Sequence, residues 1–150
     1  MTVLAAIAMV VISAGAGWAD FRRGIIPPLA IMGVAIAGVV FASQVGAIAV
    51  FNNSVLSISI LASGHAAWWT VDKLGKGPYF GRGDWNLMAA AALGLGGFGI
   101  WVAAVVALFS ALVSVVFGRG GIGPYGPGTV TLGPFMAAGI GVGAYVLCAT

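Results

Sequence analysis

Six basic and three acidic residues are all the charge in this chain of 150 residues, and they lie in or beside three short stretches separated by long apolar runs. A soluble domain needs about a quarter of its residues charged to cover its surface. Here the charged share is 6% and the hydrophobic share 61%, with a mean hydropathy of +1.14. Such a chain is expected to use lipid as its solvent. Lipid offers no partner for backbone N–H and C=O groups, so the apolar runs must satisfy them internally as helices. The expected fold class is therefore an all-α integral membrane protein, with residues 1–150 forming a single domain.

The apolar runs cover residues 3–19, 29–50, 55–70, 85–97, 98–117 and 130–149. They predict a bundle of about six transmembrane helices. The third and fourth are short against the roughly 20 residues that a hydrocarbon core of about 30 Å requires. Charge supports the division among the glycines at 94, 96, 97 and 99. With six crossings, the stretches 20–28, 71–83 and 118–128 share one side, and Arg22, Arg23, Lys73, Lys76, Arg82 and Arg119 all lie there. By the positive-inside rule that side is the cytoplasm, which leaves both termini on the non-cytoplasmic side. A single helix over 85–117 would instead move Arg119 to the opposite face. The remaining turns are expected at Asn52 and Asn53 and near Gly97. Trp18, Trp68, Trp69 and Trp85 then fall near the cytoplasmic boundary and Trp101 near the outer one. Recurrent small residues, such as Gly139 and Gly143, suit close helix packing.

The first apolar run has no Lys or Arg before it and is followed by further spans, so it reads as a retained helix rather than a cleaved signal. One cysteine, Cys148, makes neither a disulfide framework nor a metal motif. The net charge of +3 is scattered over three loops, so no nucleic-acid partner is expected.

Chemistry has few places to reside. The chain has no glutamate, and two of its three aspartates stand where apolar runs meet charged loops: Asp20 in WADFRRGIIPP and Asp84 in GRGDWNLM. Ionisable groups at membrane spans are costly and mark functional sites by default. Gly81 and Gly83 precede Asp84, allowing unusual backbone conformations and close approach of another chain. Asp84 also suits a helix N-terminus, and Asp20 suits an interfacial cap or ion pair. The six-span topology brings both carboxylates to one level at the cytoplasmic boundary.

Asp20 followed by two arginines and then Ile26-Pro27, the GxGD run at Gly81–Asp84 followed by Leu87, and the closing Gly133-Pro134-Phe135 together resemble the type IV prepilin peptidase family. The likeness is to its short form without an added cytoplasmic domain. It extends over nearly the whole chain, with the motifs in the same order. It implies a membrane aspartic endopeptidase that removes the basic leader peptide from prepilins or pseudopilins at the cytoplasmic face of a bacterial inner membrane. It also implies that Asp20 and Asp84 are the catalytic pair, with no metal and no cofactor. The chain differs from the family at Pro28, where Asn is usual, and at Asn86, where Lys is usual. Methyltransferase activity, found in longer members, is not assigned.

In that reading the two carboxylates share a water and one proton, one acting as base and the other as acid. Gly81 and Gly83 would admit the substrate backbone. Asp72, beside Lys73, reads as a solvated loop charge, and His65, within the third run, as a hydrogen-bonded imidazole aiding helix packing. No serine has a credible base, and GRGGIGPYGPG lacks the ending of a phosphate loop. The non-enzymatic alternative is a membrane component of a pilus or secretion apparatus, or a proton-coupled transport subunit using Asp20 and His65. A peptidase relative that has lost turnover is a third reading. The partners expected are the prepilin substrate and the lipid bilayer, with the oligomeric state left open.

Overall fold

A computed structural model describes residues 2–74, 81–116 and 132–149. Lys76, Arg119 and the glycine-rich stretch 118–128 lie outside the described residues. Everything regular among the described residues is helix: α1 (Thr2–Arg23), α2 (Pro28–Ser43), α3 (Ala47–Lys73), α4 (Arg82–Val116) and α5 (Gly133–Ala149). Three helical stretches are long and apolar enough to cross a membrane, Val3–Arg23, Ala47–Lys73 and Arg82–Val113, while α2 and α5 are shorter apolar helices.

Helix ends follow local chemistry. Arg22 and Arg23 occupy the last turn of α1, where cations suit the negative end of the helix dipole. The Gly24 N–H closes that turn on the Asp20 carbonyl at 2.7 Å. Pro27 is extended and Pro28 opens α2, the first helical position being one where a missing N–H costs nothing.

The turn expected at Asn52 and Asn53 lies elsewhere. It falls at residues 44–46, where Gly46 adopts φ 140° and caps α3, and both asparagines lie inside α3. Two adjacent asparagines look like a turn in sequence, but the backbone needed a positive φ that glycine supplies most cheaply.

The fourth and fifth expected spans form one element, α4, interrupted at a single residue. Gly96 has φ 61° and ψ −169°, outside helical values. Asp84 and Leu108 nevertheless line one cavity, as do Met88 and Ala104. In a straight helix these pairs would stand about 36 and 24 Å apart at 1.5 Å per residue. Both pairs are centred on residue 96, so the chain reverses there and the two arms run antiparallel without an intervening loop. The reversal deprives carbonyls of the preceding turn of their usual donors. Asn53 Nδ2 donates to the Leu93 carbonyl at 3.0 Å, and Gly96 leaves room for this amide, since a Cβ there would lie 2.9 Å from Asn53 Oδ1. Backbone groups in an apolar setting require such a replacement.

α4 is the central element, packing against α2, α3 and α5, while α1 lies against α2 and α5. Small residues set the distances. A Cβ on Gly38 would stand 2.8 Å from the Gly94 nitrogen, and one on Gly143 would stand 2.7 Å from the Gly99 carbonyl. Gly139 meets the Ala103 carbonyl in the same way, giving α5 a backbone-to-backbone seam along the second arm. Met9, Val34, Leu87 and Ile140 fill the core between these seams.

The antiparallel arms give a direct test. With Cys148→Ser as background, cysteines at Met88 and Ala104 should be joined by a short bismaleimide in membranes. A straight α4 would leave the pair unlinked.

Candidate active site

Asp20 belongs to a buried stripe of α1 formed by Met9, Ser13, Ala16 and Asp20, whose spacings of four and three residues repeat one helix face. It is only 8% exposed. Its Oδ2 accepts a hydrogen bond of 3.0 Å from the backbone N–H of Gly133. Gly133 is the first residue of α5, so the carboxylate meets the amides that a helix start leaves unpaired and the positive end of its dipole. A charge-assisted bond of this kind contributes about 1.5–3 kcal/mol.

Only glycine fits this contact. A Cβ on residue 133 would stand 2.6 Å from Asp20 Oδ2 and 2.7 Å from its Cβ. Gly17, one turn earlier on α1, lies against the same corner, since a Cβ there would be 2.9 Å from the Gly133 carbonyl and 3.0 Å from Pro134 Cα. The end of α1 and the start of α5 are thus fastened backbone to backbone, with the aspartate at the junction.

Asp84 is held by its own turn. Its N–H donates to the Gly81 carbonyl at 3.1 Å, and the Gly81 N–H donates to Asp84 Oδ2, also at 3.1 Å. The other carboxylate oxygen, Oδ1, is buried and has no hydrogen-bond partner. Gly83 rests on Ile26, to whose Cβ a Cβ at 83 would come within 3.2 Å. Ile26 is buried and belongs to the short connection that follows the helix of Asp20. The Ile-Pro segment therefore braces the first turn of α4, which carries the second aspartate. The close approach that the sequence allows at Gly81 and Gly83 is made here by the Asp84 carboxylate and by Ile26 respectively.

The two aspartates, 64 positions apart, meet at one end of the bundle, near enough that the charge of Asp20 acts on Asp84. Between the arms of α4 and the start of α5, Asp84 lines a cavity of about 140 Å³ with Met88, Ala104, Leu108, Leu132 and Met136. Leu132 directly precedes the Gly133 amide that holds Asp20, so this cavity adjoins both halves of the site. Among the described residues, no three His, Cys or Asp side chains converge as metal ligands.

Cations and indoles gather at the same end. The guanidinium of Arg82 lies 3.5 Å from the Trp68 ring, Lys73 Nζ 3.8 Å from Trp69, and the Arg22 guanidinium 5.0 Å from Trp18. Arg22 and Arg82 are thus applied to aromatic faces, where cation–π attraction suits a membrane boundary. Asp72 is exposed near the end of α3. His65 is also exposed, and its Nε2 lies 3.2 Å from Asn86 Oδ1, forming a polar link between α3 and α4 beside Asp84.

Three contributors escape inspection of the sequence: the Gly133 amide, the apolar cavity wall and the His65–Asn86 pair. A glycine-proline step opening an apolar helix was the available signal for the first. The others depend on which helices become neighbours.

Gly133→Ala should destabilise the protein by about 1–3 kcal/mol through forced displacement of Asp20. Gly97→Ala, with nothing within 4 Å of the added methyl group, should be nearly neutral. Thermal unfolding in detergent micelles checks the contrast. No protein-family model, curated protein or solved structure matches this chain.

Proposed function

We propose that this chain is a membrane-embedded aspartic endopeptidase of the type IV prepilin peptidase kind, cleaving the leader from a prepilin or pseudopilin at the cytoplasmic membrane face. The observation that carries this reading is the pairing of Asp20 and Asp84. Each is fixed by a backbone N–H through Oδ2, and Asp84 keeps Oδ1 unpaired beside a cavity. Fixing a carboxylate by backbone amides rather than by a lysine or arginine leaves it able to exchange a proton, which acid–base chemistry requires.

In this mechanism the pair holds one proton and one water, because two adjacent carboxylates do not both ionise cheaply. The ionised aspartate removes a proton from the water as the water oxygen attacks the scissile carbonyl carbon. The protonated aspartate donates to the carbonyl oxygen, giving a tetrahedral diol. Proton return to the leaving nitrogen then breaks the C–N bond. No histidine is needed as base.

The reading includes six crossings: α1, α2, α3, the two arms of α4, and α5. The contacts support this ordering. Asp20–Gly133 and Ile26–Gly83 lie at one end, while the 44–46 turn and the Gly96 reversal lie at the other. The described basic residues, Arg22, Arg23, Lys73 and Arg82, belong to the first end. That end faces the cytoplasm of a bacterial inner membrane, and both termini face outward. A prepilin, itself anchored by an apolar helix, lies beside the bundle and brings its leader junction to the pair.

The decisive experiment is cleavage of a candidate prepilin by membranes carrying equal amounts of the wild type, Asp20→Asn, Asp84→Asn or Asp72→Asn. Loss of roughly a thousandfold, the scale of general acid–base catalysis, is expected for the first two variants, with Asp72→Asn close to wild type. Survival of cleavage without Asp20 or Asp84 overturns the mechanism. Failure of the wild type on every prepilin tried favours a non-catalytic component of a pilus or secretion apparatus.

A further inference from the structure

The two aspartates are held unequally. Asp20 is tied to another helix through the Gly133 amide, whereas the hydrogen bond to the Asp84 carboxylate comes from Gly81 in its own turn. The place of Asp84 relative to Asp20 is therefore set by whatever holds the residues on either side of it. Each of those four is engaged by another segment, and three of them by α3. The Arg82 guanidinium lies 3.5 Å from the centre of the Trp68 ring, and Gly83 rests on Ile26. The Trp85 indole fills the space that a Cβ on Gly64 would need, Gly64 being the buried residue of α3. Asn86 Oδ1 lies 3.2 Å from His65 Nε2.

The last of these contacts is the directional one. An amide oxygen only accepts, so Nε2 is the donor, and the bond forms whether the imidazole is neutral or charged. At 3.6 residues per turn, Asn86 stands about 200° round α4 from Asp84. The link thus fixes the rotation of this turn from the side away from the carboxylate. Further along, Ser57 Oγ donates to the Ala89 carbonyl at 2.7 Å and Asn53 Nδ2 to that of Leu93, bonds that fasten α3 to α4 away from the site.

We propose that His65 and Asn86 are a positioning pair, which sets the spacing of Asp84 from Asp20 and with it the sharing of one proton between them. The assignment rests on the endopeptidase reading above. In this role neither side chain touches the substrate or the reacting atoms. A displacement of about 1 Å at a reacting group costs about 100-fold in rate, so one hydrogen bond at the membrane boundary has a large kinetic effect.

The test uses the full-length chain in detergent micelles and a substrate having a basic leader, a cleavage junction and one apolar helix. Values of kcat per folded molecule, KM and the pH dependence of cleavage are compared for the wild type, Asn86→Leu, His65→Leu, His65→Gln and Ser57→Ala. Asn86→Leu and His65→Leu should lower kcat roughly 10- to 100-fold with KM little changed. Asn86→Leu alters no ionisable group, so a weaker interaction between displaced carboxylates should bring the two limbs of its pH profile closer together. His65→Gln keeps a donor but cannot titrate, and should stay close to wild type. Ser57→Ala should lower the unfolding temperature while leaving kcat and the pH profile unchanged. Wild-type kcat and pH profile in Asn86→Leu, an equal loss of kcat in Ser57→Ala, or His65→Gln as impaired as His65→Leu overturns the positioning pair and leaves the endopeptidase reading standing. Absence of wild-type cleavage removes that reading and the pair with it.

Discussion

The reversal of α4 at Gly96 is the constraint on which the other contacts depend. A straight helix would carry the second arm tens of ångströms beyond Asp84. Folded back, the same residues bring Ala104 and Leu108 alongside Met88 and give α5 a seam against Gly99 and Ala103. That seam runs α5 towards the charged end of the bundle, where its first amide meets Asp20. Glycine permits the left-handed conformation, but it does not satisfy the carbonyls released by the break. Asn53 does so from α3, joining a neighbouring helix to the turn. The connection is made without a loop, which suits a segment surrounded by apolar side chains and lipid.

At the opposite end, both carboxylates are managed by backbone rather than by charge. Asp20 faces the start of α5 and Asp84 faces the nitrogen of Gly81, while nearby cations lie over tryptophan rings. This division of labour has a chemical consequence. A carboxylate locked to a guanidinium stays ionised and idle, whereas one held by a single amide keeps an oxygen and a proton equilibrium in reserve. The same arrangement makes glycine a structural requirement at 133 and leaves little room beyond the backbone at 81 and 83. Each allows a close approach to an aspartate or to the isoleucine that braces the first turn of α4.

The cation–indole pairs relate the site to its surroundings. Trp18 of α1 and the neighbouring Trp68 and Trp69 of α3 each carry a basic partner at the level of the aspartates. Indoles and snorkelling cations favour the water–lipid boundary. The proposed hydrolysis would need its water and its acid–base pair at that level, where the apolar helix and polar leader of the proposed substrate would meet.

Much of this was legible in the chain itself. Apolar runs that exclude charge can only be helices in lipid, and the scarcity of carboxylates singled out Asp20 and Asp84 before any contact was known. The charge pattern also called for a division within residues 85–117, where the structure has its reversal. Asn52 and Asn53 misled because asparagine favours turns in general, while here Asn53 serves a break formed by another segment. The Gly133 amide left no side-chain signature, and the cavity became visible only when residues on opposite sides of Gly96 were neighbours. Sequence by itself determined the solvent, the helical class and the scarce reactive groups, because these follow from composition and local spacing. Tertiary structure decided which backbone amide holds Asp20 and which side chains enclose the space beside Asp84, because both depend on contacts between distant segments.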